Sequence, residues 1–403
     1  MNPGYMYNNM SSKFNKKYGM FAIAIIALVV FIFIMAVLYG KKEEKKTKND
    51  ENATKSLDIP TEIGPAGTSA SGPGSTGTSS HPIRDYYVKS SFNSCAGGIG
   101  QKDWVGFKPL EHVIKRGARM LDFEIVSKNG EPFICTSSNT ISSDKNALCG
   151  TYNTLTFKEV MSFVAANAFA GVNKCPNGDD PLFLNLRIKT ANSNIYPIMT
   201  DVLKEAFKGK LLNRTFNLHN INKGNKLISK PLRTLRRKVI IFCHDIYRGY
   251  NNQQTPDIRE IINLDGMAQD GKGSKYLKVW QKGTTQSLEL THDLDNDKHY
   301  VKQTGLGMIY PNIMRTSTNL NEEKINTYLN NGFQFIFMNY QNYDDGLTYY
   351  ESIFDDVGSA FKLKPNNLRF TERFIELKAD PSKKVEFKTT PTETVIPGYN
   401  PEI

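Results

Sequence analysis

The chain has 403 residues, 39% of them hydrophobic and 23% charged, with a formal net charge of +11. That length allows two or three domains or one large barrel with extensions, and the apolar share supports a packed core. Much of the positive excess lies in the first fifty residues, which carry eight lysines (Lys13, Lys16, Lys17, Lys41, Lys42, Lys45, Lys46, Lys48) against Glu43, Glu44 and Asp50. No nucleic-acid motif accompanies the charge, so it reads as attraction to anionic lipid headgroups. Cys95, Cys135, Cys149, Cys175 and Cys243 are too few and too scattered for a disulfide framework, and without a CxxC pair they suggest no zinc site. Free thiols are the default.

In chain order, a short polar tail, 1–19, precedes Met20–Tyr39, an uninterrupted apolar run without charge or proline. A helix of that length rises roughly 30 Å, the thickness of a bilayer's hydrocarbon core. A cleaved signal peptide is the rival reading, but its apolar region usually runs about 7–15 residues and ends in small residues. Here the run continues into Tyr39-Gly40-Lys41-Lys42. A single-pass N-terminal anchor is expected. Lysines on both sides leave its orientation, and the membrane concerned, open.

Residues 40–80 read as a linker, charged at first and then rich in Gly, Ser, Thr and Pro between Gly64 and Ser80. Between 81 and 372, short apolar runs alternate with helical patterns. The expected strands are Met120–Val126, Phe133–Cys135, Leu182–Ile188, Val239–His244, Leu277–Trp280 and Phe333–Tyr340. The expected helices are Pro109–Arg116, Phe157–Asn167, Pro197–Lys208 and Glu322–Asn331, the last stopped by Gly332. This alternation implies parallel βαβ units, and about 290 residues of it suit a TIM-type (β/α)8 barrel. A doubly wound open sheet is the alternative, but no Gly-rich phosphate loop follows the first strand. Residues 373–403 form a proline-punctuated tail.

Strand periodicity places Asp122 and Glu124 on one face of their strand and Leu121, Phe123 and Ile125 on the other. Asn185 and Arg187 likewise oppose Leu184 and Leu186. Polar residues near the C-terminal ends of barrel strands build a site or a buried ion pair, and the pattern alone does not separate the two.

Two regions then resemble the catalytic barrel of phosphoinositide-specific phospholipase C. In the first, Ser90-Ser91-Phe92-Asn93 is similar to the family's SSHN opening, Arg116 to Glu124 resembles its RGCRCVELD strand, and Gly130-Glu131-Pro132 matches the GEP that follows. In the second, Ile309-Tyr310-Pro311, Thr316 to Asn319, Gly332 to Gln341 and Phe361 to Arg369 resemble RIYP, DSSN, GCQMVALNFQ and YLLKPxxLR in order. The resemblance implies a Ca²⁺ ion held by Asn and carboxylate oxygens, two histidines handling phosphate and proton, and a phosphoinositide of a membrane as substrate.

Transferred position by position, that chemistry is incomplete. The first histidine position is Phe92, and the second falls on Ser138 or Asn139. Asn93, Asp122 and Glu124 remain as candidate metal ligands, but Arg187 stands where the fourth ligand would be. The family's substrate lysines correspond to Phe242 and His244, and its RIYP arginine to Met308, with Tyr310 retained. His244 and Tyr310 are thus the candidate substrate contacts.

Loss of both proton-transfer groups costs typically ~10²–10⁴ in rate for each. The resemblance therefore implies a catalytically degraded barrel kept as a lipid- or partner-binding or structural module, with no bound cofactor. The alternative is an active phosphodiesterase using Ca²⁺ and a substitute base from His112, His219, His244 or His292. A further expectation is that Arg187 pairs with Asp122 and Glu124 and takes the metal's electrostatic place. Nucleic acid is not expected as a partner, and no protein partner can be read.

Overall fold

A computed structural model describes residues 3–57, 63–64, 80–98, 103–136, 149–171, 173–223, 227–244, 258–266, 277–281, 305–311 and 318–370. It divides into two compact units, Met1–Glu51 and Asn52–Ile403.

The N-terminal helix, α1, runs Pro3–Leu57. Proline is favourable at a helix's first position, and the next proline in the chain is Pro60. The helix is thus longer than the apolar run and carries on through the charged stretch read as the start of the linker. There the exposed pair Lys48–Glu44, one turn apart, closes to 2.7 Å. The side chains of Met20–Tyr39 are apolar all round and uncovered by protein, Phe21 at 70% and Phe33 at 68% exposure. The most apolar eighteen-residue window of this helix has a mean hydropathy of 3.3.

The second unit contains β1 (Tyr86–Ser91), α2 (Phe107–Lys115), β2 (Met120–Lys128), β3 (Glu131–Cys135), β4 (Leu155–Thr156), α3 (Phe157–Asn167), β5 (Leu182–Ile188) and α4 (Ile195–Ala206). It continues with β6 (Val239–His244), β7 (Leu264–Gly266), β8 (Leu277–Gln281), β9 (Leu306–Tyr310), α5 (Glu322–Asn330), β10 (Phe335–Met338), α6 (Asp345–Asp355) and β11 (Phe361–Leu363). Eight strands pair in the lateral order β7-β6-β5-β2-β1-β10-β9-β8, every ladder parallel. This is the (β/α)8 barrel expected from the alternation of strands and helices. Antiparallel β3 extends from β2 and pairs with β4, while β11 pairs antiparallel with β1.

Local signals explain the helices. The Thr156 hydroxyl accepts the Glu159 amide at 3.2 Å and starts α3. Asn321 and Asp344 do the same for α5 and α6, accepting from Lys324 and Leu347 at 3.3 and 3.0 Å. In α4, Ile195, Met199, Val202 and Leu203 recur at helical spacing and are buried.

The strands separate two apolar layers. Leu121, Phe123, Ile125, Leu184, Leu186 and Ile241 pack outward against the helices. Val88, Met120, Phe183, Phe242, Met308 and Phe335 point inward. Phe183, Phe242 and Phe335 meet there with ring centroids 5.5–5.6 Å apart. Phe242 and Met308, which stand where the resembling family places cations, are therefore part of the buried apolar interior.

Within the segment read as linker, Ile63 is 5% exposed and Gly64 donates its amide to the Gly358 carbonyl at 3.0 Å. Gly64 also bridges Ser359 in parallel register. The Ile63 side chain lies against Gly117, which follows α2, and Gly358 follows α6, so these contacts lie at the N-terminal face of the barrel strands, opposite the mouth.

Candidate active site

The site is built from the C-terminal ends of adjacent strands, where barrels of this kind assemble their chemistry. Phe92 and Asn93 follow β1, Asp122 and Glu124 lie on β2, Asn185 and Arg187 on β5, and Tyr310 ends β9. Register places Asp122 opposite Asn185 and Glu124 opposite Arg187. With a side-chain period of two, all four point into the barrel.

Arg187 is the centre of the arrangement and is 1% exposed. Its Nε donates to Asp122 Oδ1 at 2.9 Å and its Nη2 to Asp122 Oδ2 at 2.9 Å. Nη1 donates to Glu124 Oε2 at 3.0 Å, and Nη2 also donates to Asn93 Oδ1. The guanidinium thus forks onto one carboxylate and reaches a second, the geometry that favours arginine over lysine. Burial disfavours its charge, but Asp122 and Glu124 outweigh that and raise its pKa above the ordinary arginine value.

Asp122 is saturated. Beyond the two arginine bonds, Oδ1 accepts Asn185 Nδ2 at 2.7 Å and Oδ2 accepts the Asn93 amide at 2.9 Å. A carboxylate offers about four acceptor positions, and all are used. Asn93 reaches this place with φ 45°, in the left-handed region that asparagine tolerates. The Ser94 hydroxyl accepts the Asp122 amide at 2.9 Å and fixes the β1 end against β2.

Phe92 lies over the guanidinium, with its ring centroid 4.7 Å from Arg187 Cζ. This is a cation–π contact in a buried place. The Tyr310 hydroxyl accepts Asn185 Nδ2 at 2.5 Å, and its ring stacks on Phe337 at 4.6 Å. The pairing expected for Arg187 is therefore present, and a phenylalanine at the first histidine position covers it.

The other candidates are dispersed. Ser138, Asn139 and His292 lie outside the described residues. The backbone of His244 is in register with Arg187 at the end of β6. His219 is exposed on a short turn. His112 belongs to the helix layer: its ring is 6.1 Å from that of Tyr340, and burial lowers its pKa to about 4. The expectation that His112 could serve as a substitute base at the mouth is thus corrected, because α2 turns it into the packing between helices and sheet. Asn185, which ties Asp122 to Tyr310, is the member that residue-type matching overlooked. Its signal was its position two residues before Arg187 on the same strand face.

A Ca²⁺ ion needs about six to eight oxygens at roughly 2.3–2.6 Å. The oxygens of Asn93 and Asp122 are committed to the guanidinium and its neighbours, and Glu124 faces the same positive charge. A divalent cation placed among them would meet Arg187 directly, so these residues do not fit one. No group of three or more His, Cys, Asp or Glu side chains able to hold a metal occurs among the described residues.

Eight parallel strands with a polar cluster at their C-terminal mouth define a (β/α) barrel with a buried arginine–carboxylate cluster. Residues 79–244 match the family model of the phosphatidylinositol-specific phospholipase C X domain. The fold is similar to the crystal structure of PLC21 from L. pealei, with a TM-score of 0.55 and 19% identity over 71% of this chain and 38% of that one. PLC21 from S. officinalis gives 0.53 and 19% over 73% and 38%. The chain thus spans about four-tenths of the length of those proteins, and at such identity the likeness is one of fold. No curated protein sequence matches the chain. Residues 79–244 are thus similar to the X domain of phosphatidylinositol-specific phospholipase C, and the wider likeness is one of barrel fold.

Proposed function

We propose that this protein is a membrane-anchored phospholipase C-like barrel that has lost phosphodiester cleavage and is kept as a lipid- or partner-binding or structural module. The observation that carries this reading is Arg187, whose guanidinium lies on Asp122, Glu124 and Asn93 under the Phe92 ring. Cleavage beside an inositol requires a hydroxyl made nucleophilic and a leaving oxygen given a proton. A permanently charged guanidinium donates hydrogen bonds but neither accepts a proton near neutral pH nor coordinates a hydroxyl. Phe92 can do neither. The anchor is supported by the exposed apolar stretch of α1, long enough to cross a bilayer, and by its flanking lysines. Phosphoinositide is the lipid class the family relationship suggests.

The test uses the full chain in detergent micelles with phosphatidylinositol and its phosphates, with and without Ca²⁺. No turnover above the uncatalysed background is expected, and no Ca²⁺-dependent rise in thermal stability. Ca²⁺-dependent hydrolysis that disappears in Asp122→Asn would overturn the reading and restore the active phosphodiesterase.

A further inference from the structure

Beside the arginine cluster lie two thiols that the site does not use. We propose that Cys135 and Cys149 form a redox pair, which oxidation joins in a disulfide beside the arginine cluster.

The geometry begins with β3. Cys135 is its last residue and is the register partner of Glu124 on β2, so it stands one strand away from the carboxylate that holds Arg187. Thr136 follows β3 and Gly150 follows Cys149, with thirteen residues separating the two cysteines in sequence. The Gly150 amide donates to the Thr136 carbonyl at 3.0 Å and pins the two ends together. Each cysteine is the immediate neighbour of one partner in that bond. Their side chains meet across it, the Cys135 thiol donating to the Cys149 sulfur.

The pair is asymmetric in the way thiol oxidation requires. Cys135 is fully buried, whereas Cys149 is partly open to solvent. The hydrogen bond from Cys135 lowers the Cys149 pKa below the ordinary thiol value, against the opposing effect of burial. The same bond and burial raise that of Cys135. Cys149 is therefore the attacking thiolate and Cys135 the resolving thiol. With a peroxide as oxidant, the Cys149 thiolate attacks one peroxide oxygen, breaks the O–O bond and becomes a sulfenic acid with release of one water. The Cys135 sulfur then attacks the sulfenic sulfur, the S–O bond breaks, and a second water leaves with the thiol proton. Two thiols and one hydrogen peroxide give one disulfide and two waters. Cys95, Cys175 and Cys243 are buried elsewhere in the barrel and serve as internal controls.

The experiment treats the reduced full chain in detergent micelles with stoichiometric hydrogen peroxide, alkylates the remaining thiols and maps peptides without reductant. The expected product has lost about 2 Da and joins the peptides of Cys135 and Cys149 in a link reversed by dithiothreitol. The oxidised form should also unfold several degrees higher, because the link restricts the unfolded chain. Cys149→Ser should abolish the link while its reduced melting temperature matches that of the reduced wild type. Should that variant fail to fold, the wild-type peptide map alone decides. Oxidation of Cys149 to sulfinic acid while Cys135 stays reduced, or survival of both thiols in a folded chain, would overturn the proposal.

Discussion

The functional reading turns on one guanidinium. Arg187 carries its charge in a dry place because two carboxylates surround it, and they tolerate burial because it is there. Removing one partner of such a buried pair typically costs about 3–5 kcal/mol, since the remaining charge is left uncompensated. Arg187→Met should therefore destabilise the barrel by about that amount, measured by denaturant unfolding. Adding Asp122→Asn and Glu124→Gln should recover part of the loss, because the three residues act as one unit. Equal, additive losses would show that the cluster is not coupled. The sequence put Asp122, Glu124 and Arg187 on inward faces through simple alternation. It could not show that Asn93, Asn185 and Phe92 complete the enclosure, because those contacts join strands and loops as far apart as residues 92 and 187.

At the level of elements, legibility followed apolar content. Leu182–Ile188 and Val239–His244 are rich in apolar residues, with Leu182–Ile188 and Val239–Cys243 buried, and their ends agree with the strands observed. Tyr86–Ser91, Leu264–Gly266, Leu306–Tyr310 and Phe361–Leu363 were not singled out as strands. They are short or mix Lys, Ser and Gly with apolar residues, and neighbouring strands hold them in place. Lys89 shows the cost of such a strand: it lies fully buried on the outer face of β1 and is held 3.1 Å from Glu351 of α6.

The docking of Ile63 is another element-level contact invisible to composition. An added Cβ at Gly117 would come within 2.6 Å of the Ile63 side chain, and Gly117 has φ +77°. Gly117→Ala should cost about 1 kcal/mol or more from backbone strain alone. It should also speed proteolysis between residues 58 and 79 by loosening Ile63. Unchanged cleavage there, together with unchanged stability, would show that the contact contributes nothing.

For the whole molecule, the two units call on different solvents. The apolar surface of α1 is uncovered by protein, whereas the barrel encloses its apolar residues in two layers. The full chain should resist extraction from membranes by alkaline carbonate, and a chain beginning at residue 58 should be soluble without detergent. Release of the full chain by carbonate, or a mature N-terminus beyond residue 39, would remove the anchor from the proposed function.

The apolar run Met20–Tyr39 by itself determined that the chain carries one segment suited to a bilayer, because hydrophobicity sustained over about twenty residues needs no partner to be recognised. Repeated strand and helix patterns likewise determined the class of fold. What occupies the mouth was decided only in three dimensions. An arginine two residues beyond an asparagine is an ordinary polar pattern in a sequence. It becomes the centre of the site only when β5 is laid beside β2, because Coulomb attraction and hydrogen bonding depend on a register that no local pattern encodes.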